Sequence, residues 1–183
     1  MREVMTGILY FTRSVTLRNG LVVTIRSLRA DDREKIAAAI RQLDRESIYT
    51  RLFSYRSELT EAGLNRIMSV DPDSEIALLV TTGTAPDEIV IGSGRYFASP
   101  AKDGQRSAEV AFIVEKAYQG LGIAGRLLTH LADIARTRGI TAFEADVLGQ
   151  NKAMLSVFAR SALPMQQRSD GSVIHVTLDL ASK

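Results

Sequence analysis

The chain has 183 residues, 45% hydrophobic and 24% charged, with a net charge of +2 at pH 7, and this length predicts one domain over residues 1–183. Cysteine is absent, which excludes disulfides, a thiolate nucleophile and cysteine metal sites. No apolar run is long enough for a membrane helix, no basic block with aromatics indicates nucleic-acid binding, and no signal peptide begins the chain, so we expect a cytoplasmic protein.

An N-terminal hairpin is the first predicted element. Apolar and polar residues alternate over residues 10–17 and 21–26, and Asn19 and Gly20 lie between the two runs. Asn-Gly between alternating runs is a strong hairpin signal. We therefore expect residues 1–20 to add a strand to a core that spans residues 21–180.

Helical patterns follow the hairpin. Asp31 predicts the beginning of a helix, because Glu34 lies three residues later, as in a capping box. The helical pattern resumes over residues 47–53. Thr60 then begins another helix, which we expect to end near Met68, and Glu61 suits the positive end of its dipole.

The rest of the chain alternates strands and helices. The predicted strands cover residues 75–82, 88–96, 108–114 and 141–147. A helix with apolar residues at helical spacing ends at Gly139, another helix covers residues 151–161, and two strands end at Leu180. This order predicts an α/β (α+β) fold, in which a mixed, mostly antiparallel twisted sheet of about seven strands is flanked by about four helices.

The segment between the strand at 108–114 and the next helix is rich in glycine. It reads Gln119, Gly120, Leu121, Gly122, Ile123, Ala124, Gly125 and Arg126. Glycine lets the backbone approach a ligand closely, and the first N–H groups of a helix have no partner within it. Together with the positive end of the helix dipole, these groups predict a site for a phosphate-bearing ligand.

Two further interpretations of the glycines stay open. Gly120, Gly122 and Gly125 also satisfy the G-x-G-x-x-G pattern of dinucleotide-binding folds, and Glu144 lies where that motif expects a ribose-binding carboxylate. That motif needs its first glycine directly after the strand, whereas residues 115–119 intervene here. A purely structural glycine loop is the other alternative.

The same letters spell Q-x-x-G-x-A at Gln119, Gly122 and Ala124. This resembles the pyrophosphate-binding motif Q/R-x-x-G-x-G/A of the GNAT superfamily of acyl-CoA-dependent N-acyltransferases, where it follows a central strand and begins a helix. The order of elements over residues 20–180 is similar to the GNAT fold. The resemblance implies that acetyl-CoA is the acyl donor, that no metal takes part, and that backbone amides over residues 119–126 bind the pyrophosphate.

Several short sequence segments resemble those of the Pat-type bacterial protein lysine acetyltransferases, which modify acyl-CoA synthetases. They lie at residues 46–53, 59–60, 108–112 and 150–155. This resemblance implies acetyl transfer to a protein lysine, of an acyl-CoA synthetase for example, with Glu109 as general base; it also allows a homodimer. An enzyme that acetylates small amines and a catalytically idle coenzyme A sensor or interaction domain remain the alternatives.

Glu109 also fits this role on chemical grounds. A lysine-like ammonium, with a pKa of about 10.4, must lose its proton before it attacks, at a cost of roughly 4.6 kcal/mol at pH 7. A carboxylate on the central strand, facing the same way as Ala111 and Ile113, is a base for this proton, and a carboxylate that merely faces solvent is the alternative. Glu144 and Asp146 share one face of the next strand, as acceptor-side or structural carboxylates.

The resemblance implies further contacts to coenzyme A. Backbone groups of the central strand would hold the pantetheine arm and polarise the thioester carbonyl, namely those of Phe112, Ile113 and Val114. Asn151 stands at the family's coenzyme-A-binding asparagine, although asparagine also caps helices. Phe158 replaces the family's tyrosine and cannot donate a proton to the leaving thiolate, so we expect it to pack beside the thioester arm, with Tyr118 as a weak substitute donor.

The remaining polar and aromatic residues add less. His130 and His175 have no other potential metal ligands near them in the sequence, so we expect both to be structural. Acidic residues over 67–115 would favour a cationic acceptor, although a solvated surface also explains them. Tyr49, Arg51 and Phe53 are acceptor-side candidates, and inward packing of a helix explains the two aromatic residues equally well.

Overall fold

Eight strands form one sheet in the computed structural model, which describes residues 11–42, 60–101 and 104–181. The strands are β1 (Thr12–Thr16), β2 (Val22–Ser27), β3 (Glu75–Thr82), β4 (Ile89–Ala98), β5 (Ser107–Val114), β6 (Ala142–Leu148), β7 (Met165–Asp170) and β8 (Val173–Asp179). The α-helices of the described residues are α1 (Arg33–Gln42), α2 (Glu61–Met68), α3 (Ile123–Thr137) and α4 (Lys152–Ala159). The helix predicted over residues 47–53, with its aromatic candidates, lies outside the described residues.

The strands are ordered β1-β2-β3-β4-β5-β6-β8-β7 across the sheet. Every neighbouring pair is antiparallel except β5 and β6, which are parallel. The connection between these two strands contains α3, as the crossover of a parallel pair requires. The mixed, mostly antiparallel α/β fold predicted from the sequence is confirmed, and β1 is the additional strand of the N-terminal hairpin.

Helix α3 packs its apolar side on one face of the sheet. Leu127, Leu128 and Leu131 recur at helical spacing, and each is at most 1% exposed. They join the main core together with Val110 of β5 and Phe158 of α4. Fully burying a leucine stabilises the fold by about 1.5–3 kcal/mol, so this contact fixes α3 and the glycine loop before it relative to β5.

Helices α1 and α2 cover the opposite face over β3 and β4. Their contact forms a second core of Ile36, Ala37, Leu64, Leu79 and Val90. The predicted beginning of α2 is confirmed, because Thr60 Oγ1 accepts a hydrogen bond from the Gly63 N–H at 3.1 Å. Over β5 and β6 this face stays accessible, since Glu109 and Glu144 are exposed.

The beginning of α1 differs from the prediction at Asp31. Ala30–Asp32 form a 3-10 turn, and α1 begins at Arg33. The carboxylate at the N-terminal end of α1 is that of Asp32, whose Oδ2 accepts a hydrogen bond from the Arg29 N–H at 2.8 Å. Asp32 is fully buried because it pairs with Arg26, a long-range contact that a capping pattern does not reveal.

A buried charge network joins β2, α1 and the residue before β4. Arg26, which is 2% exposed, donates to the two carboxylate oxygens of Asp32 at 2.7 and 2.6 Å and to Glu88 Oε2 at 3.1 Å. Lys35 Nζ also contacts Glu88. Burial by itself would raise the pKa of Glu88, but hydrogen bonds from Lys35 and Arg26 outweigh it and lower this pKa to about 2. Glu88 is therefore an anion that holds two cations in place at neutral pH.

The network gives a test of stability against pH. The pKa of Glu88 is about 4.3 in an unfolded chain and lower in the fold, so its carboxylate stabilises the fold above pH 4.3 and loses this effect as the pH falls towards 2. Glu88→Gln should lower the free energy of unfolding by about 1–3 kcal/mol at pH 7 and by about half as much at pH 3. Urea unfolding at both pH values measures the difference.

Asp87→Asn removes an exposed neighbouring carboxylate and serves as the control, with an expected change below about 0.5 kcal/mol. An equal deficit of Glu88→Gln at pH 7 and pH 3 would contradict the electrostatic account.

Candidate active site

The parallel strands β5 and β6 pair over a short stretch and then separate. Their register pairs are Ser107 with Ala142, Ala108 with Phe143 and Glu109 with Glu144. Beyond Glu109, β5 continues to Val114 and β6 continues to Leu148 without further pairing between them. One backbone edge of β5 therefore faces an opening in the sheet. A strand edge presents N–H and C=O groups that can bind a ligand.

Glu109 and Glu144 lie side by side at the point where the strands separate. Both are exposed, and the neighbouring Ala108 and Val110 point into the α3 core, so the two carboxylates share the opposite face of the sheet. Ala111, the next residue on this face, is half-buried. The structure thus brings together two acids that the sequence placed on different strands.

An aromatic ring flanks Glu109 on its other side. Phe97 of β4 is the register partner of Glu109 and is 37% exposed. The guanidinium of Arg95 lies 5.6 Å from the centre of the Phe97 ring and pairs with Glu75 at 2.9 Å. Burial raises the pKa of Glu75, and the charge of Arg95 opposes this. The sequence analysis missed Phe97 and Arg95, because their proximity to Glu109 depends on the register between β4 and β5.

The glycine loop adopts backbone conformations that require glycine. Gly120 has a φ of +77° and Gly122 a φ of +90°, both in the left-handed region. Gly122 immediately precedes α3. A side chain at either position would strain the backbone by about 1–3 kcal/mol.

Gln119 braces this loop against β5. Its side-chain Nε2 donates a hydrogen bond to the Val114 carbonyl oxygen at 3.1 Å. The loop therefore begins at a fixed distance from the end of the strand that borders the opening. The glutamine of the Q-x-x-G-x-A motif has a structural contact that the sequence analysis did not anticipate.

The first turn of α3 leaves backbone donors for a ligand. The Arg126 N–H donates to the Gly122 carbonyl oxygen at 3.2 Å, so the N–H groups of Ile123, Ala124 and Gly125 precede the first such bond of the helix. These groups and the positive end of the α3 dipole are the features that favour anion binding at a helix N-terminus. The Arg126 guanidinium donates to the Thr16 carbonyl oxygen at 2.8 Å, so part of its hydrogen-bonding capacity is used within the chain.

Helix α4 contributes two of the predicted residues. The Asn151 side chain accepts a hydrogen bond from the Met154 N–H at 3.1 Å and caps the helix, which was the alternative interpretation of this residue. Phe158 is 1% exposed, and its ring centre lies 6.3 Å from that of Phe112, which is 7% exposed. Both side chains belong to the core, so Phe112 can offer a ligand only its backbone.

Tyr118 is half-buried in a 3-10 turn and packs against the main core.

A histidine–carboxylate pair lies farther along the acidic face. His175 Nδ1 and Asp146 Oδ1 are 2.5 Å apart, and Asp170 Oδ2 lies 4.0 Å from His175 Nε2. An open pocket of about 380 Å³ is lined by residues of β6, β7 and β8, including Glu144, Asp146 and His175. The sequence analysis treated His175 as a structural residue without potential metal ligands near it. The β6–β8 register, in which Asp146 faces His175, supplies the partner that the sequence alone does not indicate.

The described parts of the chain hold no group of three or more histidine, aspartate or glutamate side chains suited to a metal ion. No helix within residues 11–42, 60–101 and 104–181 is long and apolar enough to cross a membrane.

Comparisons with known proteins identify the family of the chain. The model of the acetyltransferase (GNAT) family matches residues 38–162. An acetyltransferase of Pseudomonas aeruginosa is 32% identical over 165 residues, which cover 87% of this chain and 86% of that one. Acetyltransferase Pat of Mycolicibacterium smegmatis is 29% identical over 168 residues, 91% of this chain and 48% of that protein, so the chain spans about half of this relative.

A solved structure is similar over nearly the whole fold. The GNAT domain of S. lividans PAT superposes with a TM-score of 0.80 at 32% identity, covering 92% of this chain and 96% of that one. The superposition shows that the two chains share one fold. The chain belongs to the GNAT acetyltransferase family.

Proposed function

We propose that this acetyltransferase moves the acetyl group of acetyl-CoA to the ε-amino group of a protein lysine, with Glu109 as the general base. The observation that carries the proposal is the position of Glu109, exposed at the last paired residue of β5, where the sheet opens. The similarity to the GNAT domain of S. lividans PAT supports a lysine acceptor. We also propose that residues 1–183 act as one domain in the cytoplasm, while a homodimer stays a prediction.

The donor side of the site suits the phosphates of acetyl-CoA, which the GNAT fold binds. Among the described residues, and apart from Gly122 and its two chain neighbours, only Nε of Arg18 lies within 4 Å of where a Cβ on Gly122 would be, so a phosphate can approach the backbone there. The N–H groups of Ile123, Ala124 and Gly125 are the proposed donors to the pyrophosphate. The edge of β5 leads from this loop to Glu109, and its backbone is the proposed support for the pantetheine arm.

The acceptor side suits a cationic amine. Glu109 and Glu144 offer two carboxylates on adjacent strands, which lie about 4.8 Å apart in a sheet, and both attract a lysine ammonium. Glu109 belongs to β5, the strand whose edge leads to the glycine loop, so it is the proposed acceptor of the ammonium proton, directly or through one water. The neutral amine can then attack the thioester carbon, so that a C–N bond forms as the C–S bond breaks. The first proton stays on the Glu109 carboxyl group, and the second proton of the nitrogen passes through water to the thiolate.

The leaving thiolate has no tyrosine at the family position. Phe158 fills that position and is buried, so its phenyl ring contributes packing and no proton. We propose that the thiolate leaves with a proton from water. Tyr118 stays the alternative donor.

Replacing Gly122 with valine tests the donor site. Valine at a φ of +90° strains the loop and places methyl groups where the phosphate should approach, so acetyl-CoA affinity should fall at least about tenfold. Isothermal titration calorimetry measures this affinity. Gly139→Val is the matched control, because Gly139 has a φ of +71° just after the C-terminal end of the same helix and should retain wild-type affinity.

Equal affinities for the two valine variants would contradict phosphate binding at this loop. Tight binding of a nicotinamide dinucleotide in place of acetyl-CoA would support the alternative interpretation of the three glycines.

Replacing Glu109 with glutamine tests the base. Glutamine keeps the size of the side chain but cannot take up a proton, so turnover at pH 7 should fall at least about a hundredfold while acetyl-CoA affinity stays within a few-fold. The deficit should shrink as the pH rises towards the pKa of the acceptor, because more amine is then already neutral. Steady-state rates against pH measure both effects.

Glu144→Gln is the matched control, since it removes the adjacent carboxylate from the same face. It should weaken acceptor binding and leave the pH profile of turnover unchanged. A Glu109→Gln enzyme with near wild-type turnover, or with a pH profile parallel to that of the wild type, would move the role to Asp146 or to bulk water.

A small amine is the second candidate acceptor, favoured by the pocket of about 380 Å³ beside Glu144, which lies within the size range of small-ligand sites. Release of thiol from acetyl-CoA should be measured with purified acyl-CoA synthetases and with a panel of polyamines, amino acids and aminoglycosides. We expect transfer to a protein lysine and little turnover with the small amines. Transfer to small amines alone would contradict the lysine proposal.

A further inference from the structure

Arg18 lies over the glycine loop although it is far from it in the sequence. It is in the turn that joins β1 to β2, and its Nε lies 3.8 Å from the position that a Cβ on Gly122 would take. Gly122 is the residue that begins the proposed phosphate site. We propose that the Arg18 guanidinium binds the pyrophosphate of coenzyme A from the side opposite the α3 backbone amides. This inference rests on the proposed acetyl-CoA site.

The turn that carries Arg18 is well defined. The Leu17 N–H donates to the Leu21 carbonyl oxygen at 2.8 Å, and the Gly20 N–H donates to the Leu17 carbonyl oxygen at 3.0 Å. The Asn19 side chain accepts a hydrogen bond from the Leu21 N–H at 3.1 Å. Leu17 is 3% exposed and belongs to the main core. Arg18 is therefore an exposed side chain that extends from an anchored backbone.

Strand β1 is attached to the same helix that begins at the glycine loop. The Arg126 guanidinium of α3 donates to the Thr16 carbonyl oxygen at 2.8 Å. The rings of Phe11 and His130 have centres 5.1 Å apart. These two contacts lie along α3 and hold the hairpin beside it. The position of Arg18 relative to Gly122 is thus set by contacts between α3 and the strand that precedes the turn.

Positive charge is concentrated along this side of α3. Burial lowers the pKa of His130, Asp133 opposes that shift, and the charges of Arg13 and Arg126 lower the pKa further. The two arginines are therefore close enough to affect a neighbouring group. Arg18 extends this positive region to the N-terminal end of the helix.

The chemistry of the side chain matches a pyrophosphate. A guanidinium presents several N–H donors in a planar fork that fits phosphate oxygens, and it stays charged at any working pH. The α3 dipole supplies only about half a positive charge, whereas a pyrophosphate diester carries two negative charges. Within the described residues Arg18 has no hydrogen bond and no ion pair, so binding a phosphate would break no existing contact.

The test compares Arg18→Ala, Arg18→Lys and Arg13→Ala in the full chain. Calorimetry with coenzyme A and with 3′-dephospho-coenzyme A should show that Arg18→Ala lowers the affinity for both ligands about tenfold, because the pyrophosphate is common to them. Arg18→Lys should lower the affinity about threefold, since lysine keeps the charge but lacks the planar fork of N–H donors. Arg13→Ala removes one exposed charge from the same hairpin and should bind both ligands as the wild type does.

Affinities of Arg18→Ala within twofold of the wild type would overturn the inference. A loss confined to coenzyme A, with 3′-dephospho-coenzyme A unaffected, would also overturn it, because the contact would then be to the 3′-phosphate. If the wild-type chain binds neither ligand, the proposed acetyl-CoA site itself fails. If the wild type binds, Gly122→Val does not and Arg18→Ala does, only the role of Arg18 fails.

Discussion

The separation of β5 from β6 after Glu109 and Glu144 is the constraint on which the rest of the site depends. In a fully paired sheet, the backbone N–H and C=O groups along the facing edges of both strands would be hydrogen-bonded to each other. Here the strands give up that pairing, and packing on the α3 side offsets the loss. Phe158 of α4 contacts Phe112 of β5 on that side, next to the leucines of α3. The apolar core thus keeps the opening between the two strands in place.

The twofold period of β5 divides its side chains between two tasks. Val110, Phe112 and Val114 are buried under α3, and Glu109 faces the other way, into the accessible part of the sheet. A shift of one residue in the register would bury the carboxylate and expose the apolar side chains, which burial energy strongly opposes. The same packing that stabilises the fold therefore orients the proposed base.

Two regions far apart in the sequence hold the ends of the site. The Arg26, Asp32 and Glu88 network fixes α1 against β2 and β4 on one face. On the other face, the hydrogen bond from Arg126 to Thr16 fixes the N-terminal hairpin against α3. The Arg26 network favours one arrangement over others because an unpaired buried charge is costly, whereas the Arg126 contact is an exposed hydrogen bond to a backbone carbonyl.

The sequence by itself determined the order of elements and the position of the glycine loop that precedes α3. Hydrophobic periods identified β5 and α3, and Gly122 marked the loop between them, because only glycine readily takes a φ of +90° before a helix. Helix ends with local signals were also predictable, such as Thr60 and Gly139. These features depend on residues close in the chain, so a local pattern is sufficient to predict them.

Only the tertiary structure decided which side chains meet. Glu109 lies beside Phe97 and Glu144 because of two strand registers, and Asp146 meets His175 because β8 lies between β6 and β7. Asp32 replaced Asp31 at the start of α1 because Arg26, on another element, draws its carboxylate into the interior. Arg18 reaches Gly122 only through the packing of a hairpin on α3. Such contacts join residues distant in the chain, and they depend on the register and packing of the whole sheet, which no local sequence period contains.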